Sequence, residues 1–568
     1  MSALHTPPDY DVEKSGIPGV SNSYEKDAIH YVPGQATVIP PGQQNELKKH
    51  LKGRHMQMIA IGGAIGAGLF VGSGSALSKG GPASLVICFA IIGGMILLMM
   101  QALAELAVMY PVNGAFYQYI VRFVDPSWGF AMGWDYAIQW LTILPFEITA
   151  AGLTIGFWGE YNIGIWIAVF LVILSGIQFF GVKGYGETEF FLSAIKIAAC
   201  AGFIIFGIIV NCGGVPTDDR GYIGVKYWQS PEHAFRNGFK GFCSVFVTAS
   251  FAFGGTELTG LAAAESDDPV RQIPKASRQV FWRISFFYVV NLFILGLIVP
   301  SSSEFLLNSS GANTKASPFV VAIQMAGVKG LPSVFNAVIT ISVISVANSA
   351  TYASTRTLQA MASQGMAPRI FAYVDKKGRP IPTIILQLCF GLLAFINEAS
   401  ETGSVIFGWL LALSGLINFF VYGSICLAHI RFRSAWKHRG HSVDDLPFKA
   451  AFGVYGSYVG VVMNIMCLAA QFYTALWPDA EVFFSNYLAL PMVVLFYTIW
   501  KVYTWIYQPE HRPMWIATER IDIYTGMREG QFIEGPDGRL MKPIPEDGGI
   551  VKPTGPLAIV KKVLGAFF

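Results

Sequence analysis

Twelve long apolar segments follow one another along this chain, and they limit its fold more than any other feature. A helix that crosses the hydrocarbon core of a bilayer needs about 20 apolar residues. Of the 568 residues, 53% are hydrophobic and only 13% are charged, whereas about 25% are charged in a typical soluble domain. We therefore predict an all-α polytopic membrane protein. The twelve predicted spans cover residues 57–77, 84–109, 129–157, 164–181, 188–210, 240–263, 281–300, 332–354, 382–398, 404–428, 453–476 and 485–507.

The predicted twelve-helix domain covers residues 48–507 and lies between two polar tails. Residues 1–47 are predicted to be a disordered N-terminal tail, and residues 508–568 a C-terminal tail. Segments rich in Lys and Arg alternate along the chain with segments that contain few of them. The first rich segment holds the cluster Lys48, Lys49, Lys52 and Arg54. Because cytoplasmic connections are rich in Lys and Arg, both termini are predicted to be cytoplasmic. The glycosylation sequon at Asn308 then lies on the outer side, although chance matches to this motif are common.

The first predicted span carries four glycines within residues 62–68, in the stretch GGAIGAGLF. Each costs about 1 kcal/mol relative to Ala in a helix interior, so the helix is expected to break there. A second weak stretch, FAFGGTELTG, occupies residues 251–260 of the sixth span. The two breaks hold matching positions if the first ten spans form two five-span repeats, at about 56–211 and 238–430, followed by extra helices at about 451–507. Paired interruptions of this kind point to the binding site of a transporter.

A broken helix frees backbone N–H and C=O groups, which must find partners inside the bilayer. Half-helix N-termini favour a carboxylate, and freed carbonyls favour an ammonium group or a cation. A zwitterion with both groups on one carbon therefore fits such a pair of breaks. The alternative is that the glycines only allow helices to pack closely, since Gly62/Gly66 and Gly68/Gly72 have the small-xxx-small spacing.

Four ionisable residues are singled out inside the predicted spans, where charges are costly and are functional candidates by default. Glu257 directly follows the second break, so it either caps freed N–H groups or acts as a gate or a proton-linked carboxylate. Lys196 is interpreted as the lone charge of the fifth span, which titrates, stands in for a coupling cation, or snorkels to the interface. Glu147 either packs or lines the permeation path. Glu105 is interpreted mainly as a structural contact.

Nothing in the sequence resembles a nucleotide-binding loop or a nucleophile–base pair, and the cysteines have neither metal-site nor disulfide spacing. We therefore expect no enzymatic activity, cofactor, metal ion or nucleic-acid partner. Lys14 and Lys26 in the N-terminal tail are candidate ubiquitylation sites, which would make ubiquitin ligase machinery a partner. The alternative for each is an unmodified, solvated lysine.

Four long stretches resemble the fungal amino acid permeases, a branch of the amino acid–polyamine–organocation superfamily. They are MIAIGGAIGAGLFVGSG, AELAVMYPVNGAF, FVTASFAFGGTELTGLAAAES with IPKASRQVFWRI, and SVANSATYASTRTLQAMASQGMAPRIFAYVDKKGRP. The resemblance extends over about residues 48–530. Within the branch, LAAAES and WLLALSG are more similar to the general, broad-range permeases than to the basic amino acid permeases.

The resemblance implies a leucine-transporter-type fold, with two inverted five-helix repeats and two further helices. It also implies import of L-amino acids across the plasma membrane in symport with protons, by alternating access. Three alternatives remain at this point. They are a permease of narrower range, an amino acid sensor that transports little, and a sodium-coupled or exchange transporter.

The resemblance further implies roles for single residues. The substrate carboxylate would bind the segment of Gly66, Ala67 and Gly68, where Ala67 replaces a hydroxyl residue of some relatives. Phe251 would be the aromatic gate, Lys196 would replace a sodium ion, and Ser414 would affect side-chain selectivity. The carbonyls implied for the substrate ammonium are those of Ala64, Phe251 and Gly254. The predicted substrate-binding set is Ala64, Ile65, Gly66, Ala67, Gly68, Phe251, Ala252, Phe253, Gly254, Gly255, Thr256 and Ser414, and proton coupling or gating is assigned to Lys196, Glu257 and Glu147.

Overall fold

A computed structural model of the chain describes residues 51–159, 161–229, 234–303, 317–398, 403–476, 483, 486–525, 527, 533–534 and 540–541. Helices dominate these residues. Their one sheet is a short antiparallel pair, β1 (Ile533–Glu534) and β2 (Leu540–Met541). The α-helices of the described residues are α1 Gly53–Ala64, α2 Ser73–Met109, α3 Phe116–Phe123, α4 Pro126–Ile155, α5 Ile163–Phe179, α6 Gly181–Asn211, α7 Gly238–Phe253, α8 Leu258–Leu261, α9 Pro269–Ile298, α10 Pro318–Met325, α11 Leu331–Ser363, α12 Ile381–Gly391, α13 Gly403–His438, α14 Gly453–Ala475 and α15 Ala489–Tyr507.

Each of the twelve predicted spans overlaps a helix of the structure. In the described part of the chain, nine helical segments are long and apolar enough to cross a membrane, with Gly53–Met109 counted as one segment. A residue with positive φ, Gly81 at 80°, divides that segment just before Pro82, between the first two predicted spans. The apolar helices Ile163–Phe179 and Ile381–Ile396 are shorter. The chain is an all-α, multi-pass membrane protein, while the number of crossings and the inverted repeat stay predictions.

The helices that carry the two glycine breaks lie in the interior of the protein. In the segment Gly238–Glu265, the most apolar stretch is 100% buried, whereas the corresponding values are 28% for α14 and 17% for α15. Apolar side chains of these outer helices, such as Ile465 and Trp505, are exposed, as suits contact with lipid tails. Because α1 packs against α6, α9 and α11, its break is enclosed by other helices and not by lipid.

Two buried carboxylates outside the breaks are held by fixed charges. Glu105 on α2 lies 2.9 Å from Nε2 of His429, and it accepts hydrogen bonds of 2.7 Å from Arg433 and from the Ala450 N–H. Glu265 accepts from Arg356 at 3.0 Å, and both side chains are almost fully buried. A buried ion pair is tolerated only where the remaining lone pairs are also satisfied, so the geometry of Glu105 fits the structural interpretation.

The chain after α15 folds back and packs against residues that follow the C-terminal ends of α2, α3 and α13. The Ile516 N–H donates to the Val124 carbonyl at 3.0 Å, and the buried Tyr110 hydroxyl donates to the Ile523 carbonyl at 2.6 Å. Arg439 at the end of α13 donates to the Glu519 carbonyl at 3.0 Å. Residues 516–523 are therefore part of the packed structure, although they belong to the segment predicted as a tail.

Candidate functional site

Both predicted interruptions are present, and their backbones touch. Helix α1 ends at Ala64 and resumes as a π-helical turn at Gly68, while α7 ends at Phe253 and is followed by a turn before α8. Gly255 has a φ of 98°, and a Cβ atom there would lie only 2.6 Å from the carbonyl carbon of Gly63. A Cβ atom on Gly68 would lie 2.6 Å from Cα of Ala252. The glycines therefore both interrupt the helices and allow close packing, so the two interpretations are compatible.

The freed carbonyls at the end of α1 are bound by side chains from two other helices. Lys196 on α6 donates from Nζ to the Gly62 carbonyl at 2.6 Å. The Tyr288 hydroxyl on α9 lies 2.8 Å from the Ala64 carbonyl and 2.7 Å from the Ala252 carbonyl. A helix C-terminus carries partial negative charge, so a cation and a hydroxyl donor are both favourable there. The Ala64 carbonyl keeps a second lone pair for a ligand.

The freed N–H groups on the other side of the α1 break face a carboxylate of the protein itself. Glu147 on α4 lies beside this backbone, since a Cβ atom on Gly66 would be 3.6 Å from its Oε1 atom. Its side chain is 1% exposed, and its Oε2 atom has no hydrogen-bond partner among the described residues. A carboxylate that belongs to the chain thus lies beside the backbone predicted to bind the substrate carboxylate.

Glu257 is enclosed by donors at the second break. Its carboxylate accepts from the Tyr136 hydroxyl at 2.9 Å, from the Tyr422 hydroxyl at 2.8 Å and from the Gly255 N–H at 3.0 Å. Three donors satisfy a buried carboxylate well. The contacts fit the capping interpretation of Glu257, and its role in gating or proton transfer stays a prediction.

A small cavity lies between the two breaks and α4. It is lined by six of the residues assigned to binding or coupling, namely Ala64, Gly66, Gly68, Phe251, Gly254 and Glu147. The rest of the wall is formed by Gly63 of α1, the α4 side chains Gln139, Trp140 and Ile143, and Val346 of α11. The Phe251 ring is 8% exposed and contacts Phe146 edge-to-face at 5.2 Å. The structure therefore places the aromatic ring predicted as a gate against this cavity.

The other predicted residues lie around the cavity without lining it. Six of them are buried in the breaks, namely Ile65, Ala67, Ala252, Phe253, Gly255 and Thr256. Lys196 and Glu257 contact the backbone of the breaks, Lys196 at the Gly62 carbonyl and Glu257 at the Gly255 N–H. Ser414 is 1% exposed on α13. One turn further along, Asn418 donates to the Ser250 carbonyl at 3.0 Å and accepts from Gln139 at 2.8 Å. Asn308, Lys14 and Lys26 lie outside the described residues.

Sequence reasoning missed Glu189, which shares α6 with Lys196. Lys196 is therefore not the lone charge of the fifth span. Glu189 is fully buried and accepts from Ser345 at 2.7 Å and from Asn348 at 3.0 Å, both on α11. Its carboxylate also packs against Gly62, whose carbonyl accepts from Lys196. A spacing of seven residues places both on one face of a helix, and this signal was visible in the sequence.

Replacement of Glu189 by Gln is expected to lower uptake about tenfold or more, since the buried Ser345 and Asn348 side chains lose a charged acceptor, at a cost of about 1–3 kcal/mol. Initial uptake rate per molecule at the cell surface is the measurement. Glu187→Gln is the matched control, because Glu187 is on the same helix but is about one-third exposed in its pair with Arg54. We expect the control to change uptake by less than about twofold. Equal effects of the two variants would contradict a special role for Glu189.

The geometry can be compared with known proteins. The model of the amino acid permease family matches residues 55–511. This chain belongs to the amino acid permease family. The permease is 51% identical over 525 residues to the general amino-acid permease GAP2 of Candida albicans, an alignment that covers 91% of this chain and 86% of the relative. It is 49% identical over 535 residues to cationic amino acid transporter 1 of Schizosaccharomyces pombe, with 91% and 89% covered.

These likenesses confirm the resemblance to fungal amino acid permeases. The permease is accordingly a transporter-family protein of the membrane and not an enzyme. Among solved structures, it is similar to Mhp1, a nucleobase-cation-symport-1 family transporter in a closed conformation with bromovinylhydantoin bound. The TM-score is 0.46 at 15% identity, and the match covers 83% of this chain and 97% of that chain. In the described residues, no group of His, Cys, Asp and Glu side chains is arranged to hold a metal ion.

Proposed function

We propose that this permease imports L-amino acids of many kinds across the plasma membrane in symport with protons. The observation that carries the proposal is the position of the Glu147 carboxylate, which lines the cavity beside the interrupted backbone at Gly66 and Gly68. A substrate carboxylate that binds residues 66–68 lies next to Glu147. Two carboxylates that share a site do not both ionise readily. Substrate binding therefore favours the protonated form of Glu147, which couples the proton to the amino acid.

The buried Lys196 supports a proton as the coupling ion. The Lys196 ammonium lies 2.6 Å from the Gly62 carbonyl, at the C-terminal end of a half-helix where transporters bind sodium or protons. A covalently attached cation at this position leaves no vacancy for a sodium ion. The sodium-coupled alternative is disfavoured by this contact.

The proposed cycle uses the cavity between the breaks. The amino acid enters from outside, its carboxylate takes the N–H groups of residues 66–68, and its ammonium binds free lone pairs of carbonyls such as Ala64 and Phe251. Phe251 then closes over it. Because a ligand shifts a conformational balance only by binding two states unequally, the proton and the amino acid together favour the state that opens inward. The twelve crossings, the five-plus-five repeat, and the two cytoplasmic termini belong to this proposal.

The broad range rests on the stretches LAAAES and WLLALSG. Overall likeness does not decide the range, because the permease is about equally identical to a relative named as general and one named as cationic. Selectivity depends on pocket volume and on a few polar contacts. Gln139 and Trp140 are the polar side chains of the cavity wall beyond Glu147, so they are the positions where the range would be altered.

The test is uptake of a labelled amino acid panel in permease-deficient yeast that express this chain, at acidic and at neutral outside pH, with and without a protonophore. We expect many amino acids to enter, faster at acidic pH, and uptake to collapse with the protonophore. Uptake of a single class would overturn the broad range and leave the mechanism. Uptake that follows sodium would overturn proton coupling. No uptake by protein present at the surface would support the sensor.

A further inference from the structure

The hydroxyl of Tyr288 joins the ends of the two broken helices. It lies 2.8 Å from the carbonyl of Ala64, the last residue of α1, and 2.7 Å from the carbonyl of Ala252, near the end of α7. The last carbonyls of a helix have no partner within the helix, and both ends carry partial negative charge. A tyrosine hydroxyl has one proton, so the two carbonyls share one donor.

The aromatic ring holds this hydroxyl in place. Tyr288 is fully buried on α9, and its ring lies 4.7 Å from that of Phe253 and 6.1 Å from that of Phe89. It therefore contacts α2 and α7 through the ring, and α1 and α7 through the hydroxyl. A phenylalanine at this position would keep the ring contacts and remove the donor.

Tyr288 differs from the charged groups of the site because its hydroxyl is neutral. Converging carbonyls of broken helices are groups that coordinate cations in transporters. Here one of the carbonyls predicted for the substrate ammonium, that of Ala64, is oriented by an uncharged donor. Without the donor, two negative helix ends would face each other across the break, and repulsion would separate them.

We propose that Tyr288 is a positioning residue for the backbone part of every substrate. Its hydroxyl sets the spacing of the α1 and α7 ends, and thereby the carbonyls that receive the ammonium group. All amino acids share this ammonium, so the contribution of Tyr288 is the same whatever the side chain. The inference rests on the proposed import of amino acids.

The test is Tyr288→Phe, with KM and maximal rate measured for small, large, acidic and basic amino acids. Loss of one buried hydrogen bond corresponds to roughly a three- to tenfold rise in KM. We expect the rise to be the same for every amino acid within about twofold, since it acts on the shared backbone. The dependence of uptake on outside pH is expected to stay as in the unaltered permease, because Tyr288 does not carry the coupled proton.

Tyr110→Phe is the matched control. Tyr110 is also fully buried and donates to a backbone carbonyl, that of Ile523 at 2.6 Å, away from the cavity. We expect this control to leave KM unchanged. An unchanged KM in Tyr288→Phe, with or without a lower maximal rate, would show a structural role alone. A KM that rises for some side chains only would place Tyr288 in a side-chain pocket, and either result overturns the inference.

If Tyr288→Phe transports too slowly for kinetics, purified protein in detergent supplies a second measurement. The amino acid concentration that half-saturates the rise in Tm is expected to increase by the same factor. An unchanged half-saturating concentration would overturn the inference. The unaltered permease is measured alongside, and a failure of that protein to bind or transport amino acids refutes the proposed function instead.

Discussion

Replacement of Gly255 by Leu is expected to abolish amino acid uptake while the protein still reaches the membrane. The φ of Gly255 is 98°, which costs a side-chain-bearing residue about 1–3 kcal/mol. A Cβ atom would also meet the backbone of Gly63 at 2.6–3.0 Å, and backbone cannot rotate aside as a side chain can. The two breaks would have to separate, which would disperse the groups that are proposed to bind the substrate. Uptake and surface abundance of a fluorescently tagged chain are the measurements.

Gly330→Leu is the matched control for Gly255→Leu. Gly330 has a φ of 82°, is exposed, and has nothing within 4 Å of its Cβ position, so it has the backbone strain without the clash. We expect it to retain uptake within about twofold. Gly255→Ala, with the smallest side chain, is expected to be impaired in the same direction. Normal uptake by Gly255→Leu at the cell surface would argue strongly against this binding site.

Glu147→Gln is expected to remove proton-driven accumulation and to preserve exchange. The glutamine side chain has nearly the same size and shape, yet it neither ionises nor releases a proton. The substrate carboxylate then meets a permanently neutral neighbour. We expect the accumulation ratio to fall to about one and uptake to become independent of outside pH, whereas counterflow of labelled against unlabelled amino acid continues. Accumulation and counterflow in the same cells are the measurements.

Asp135→Asn is the control for the charge change in Glu147→Gln. Asp135 is a fully buried carboxylate on the same helix, and it does not line the cavity. We expect Asp135→Asn to retain accumulation that rises at acidic pH. Accumulation by Glu147→Gln that still responds to pH would assign the proton to another group, with Lys196 and Glu189 the next to test. Loss of counterflow together with accumulation would assign Glu147 to substrate binding alone.

The helices and their breaks could be predicted because they depend on local composition. Runs of apolar residues and the loss of helix stability at Gly62 and Gly255 are properties of short segments. The close backbone approach of Gly63 and Gly255 could not be predicted in the same way. It requires two segments almost 200 residues apart to cross, and a single sequence holds no direct signal for that distance.

The partners of the freed backbone groups were harder to predict than the breaks. Glu147 and Lys196 were singled out because a charge in a bilayer is costly, and both lie at the α1 break. Tyr288 was missed because a tyrosine in a membrane helix is ordinary, and only the geometry shows its two carbonyl partners. Glu189 was missed because it lies near the edge of a predicted span, where charges are cheap.

The folded-back segment after α15 limits where the chain can be altered for laboratory use. A reporter or affinity tag that replaces the chain from residue 508 onward would remove two carbonyl acceptors. They are the carbonyl of Ile523, which accepts from Tyr110, and that of Ile516, which accepts from Arg431. A buried hydroxyl and a half-buried guanidinium would lose acceptors, at about 1–3 kcal/mol each. Fusions and deletions at the C-terminal side should therefore begin after residue 525, which leaves this packed segment whole.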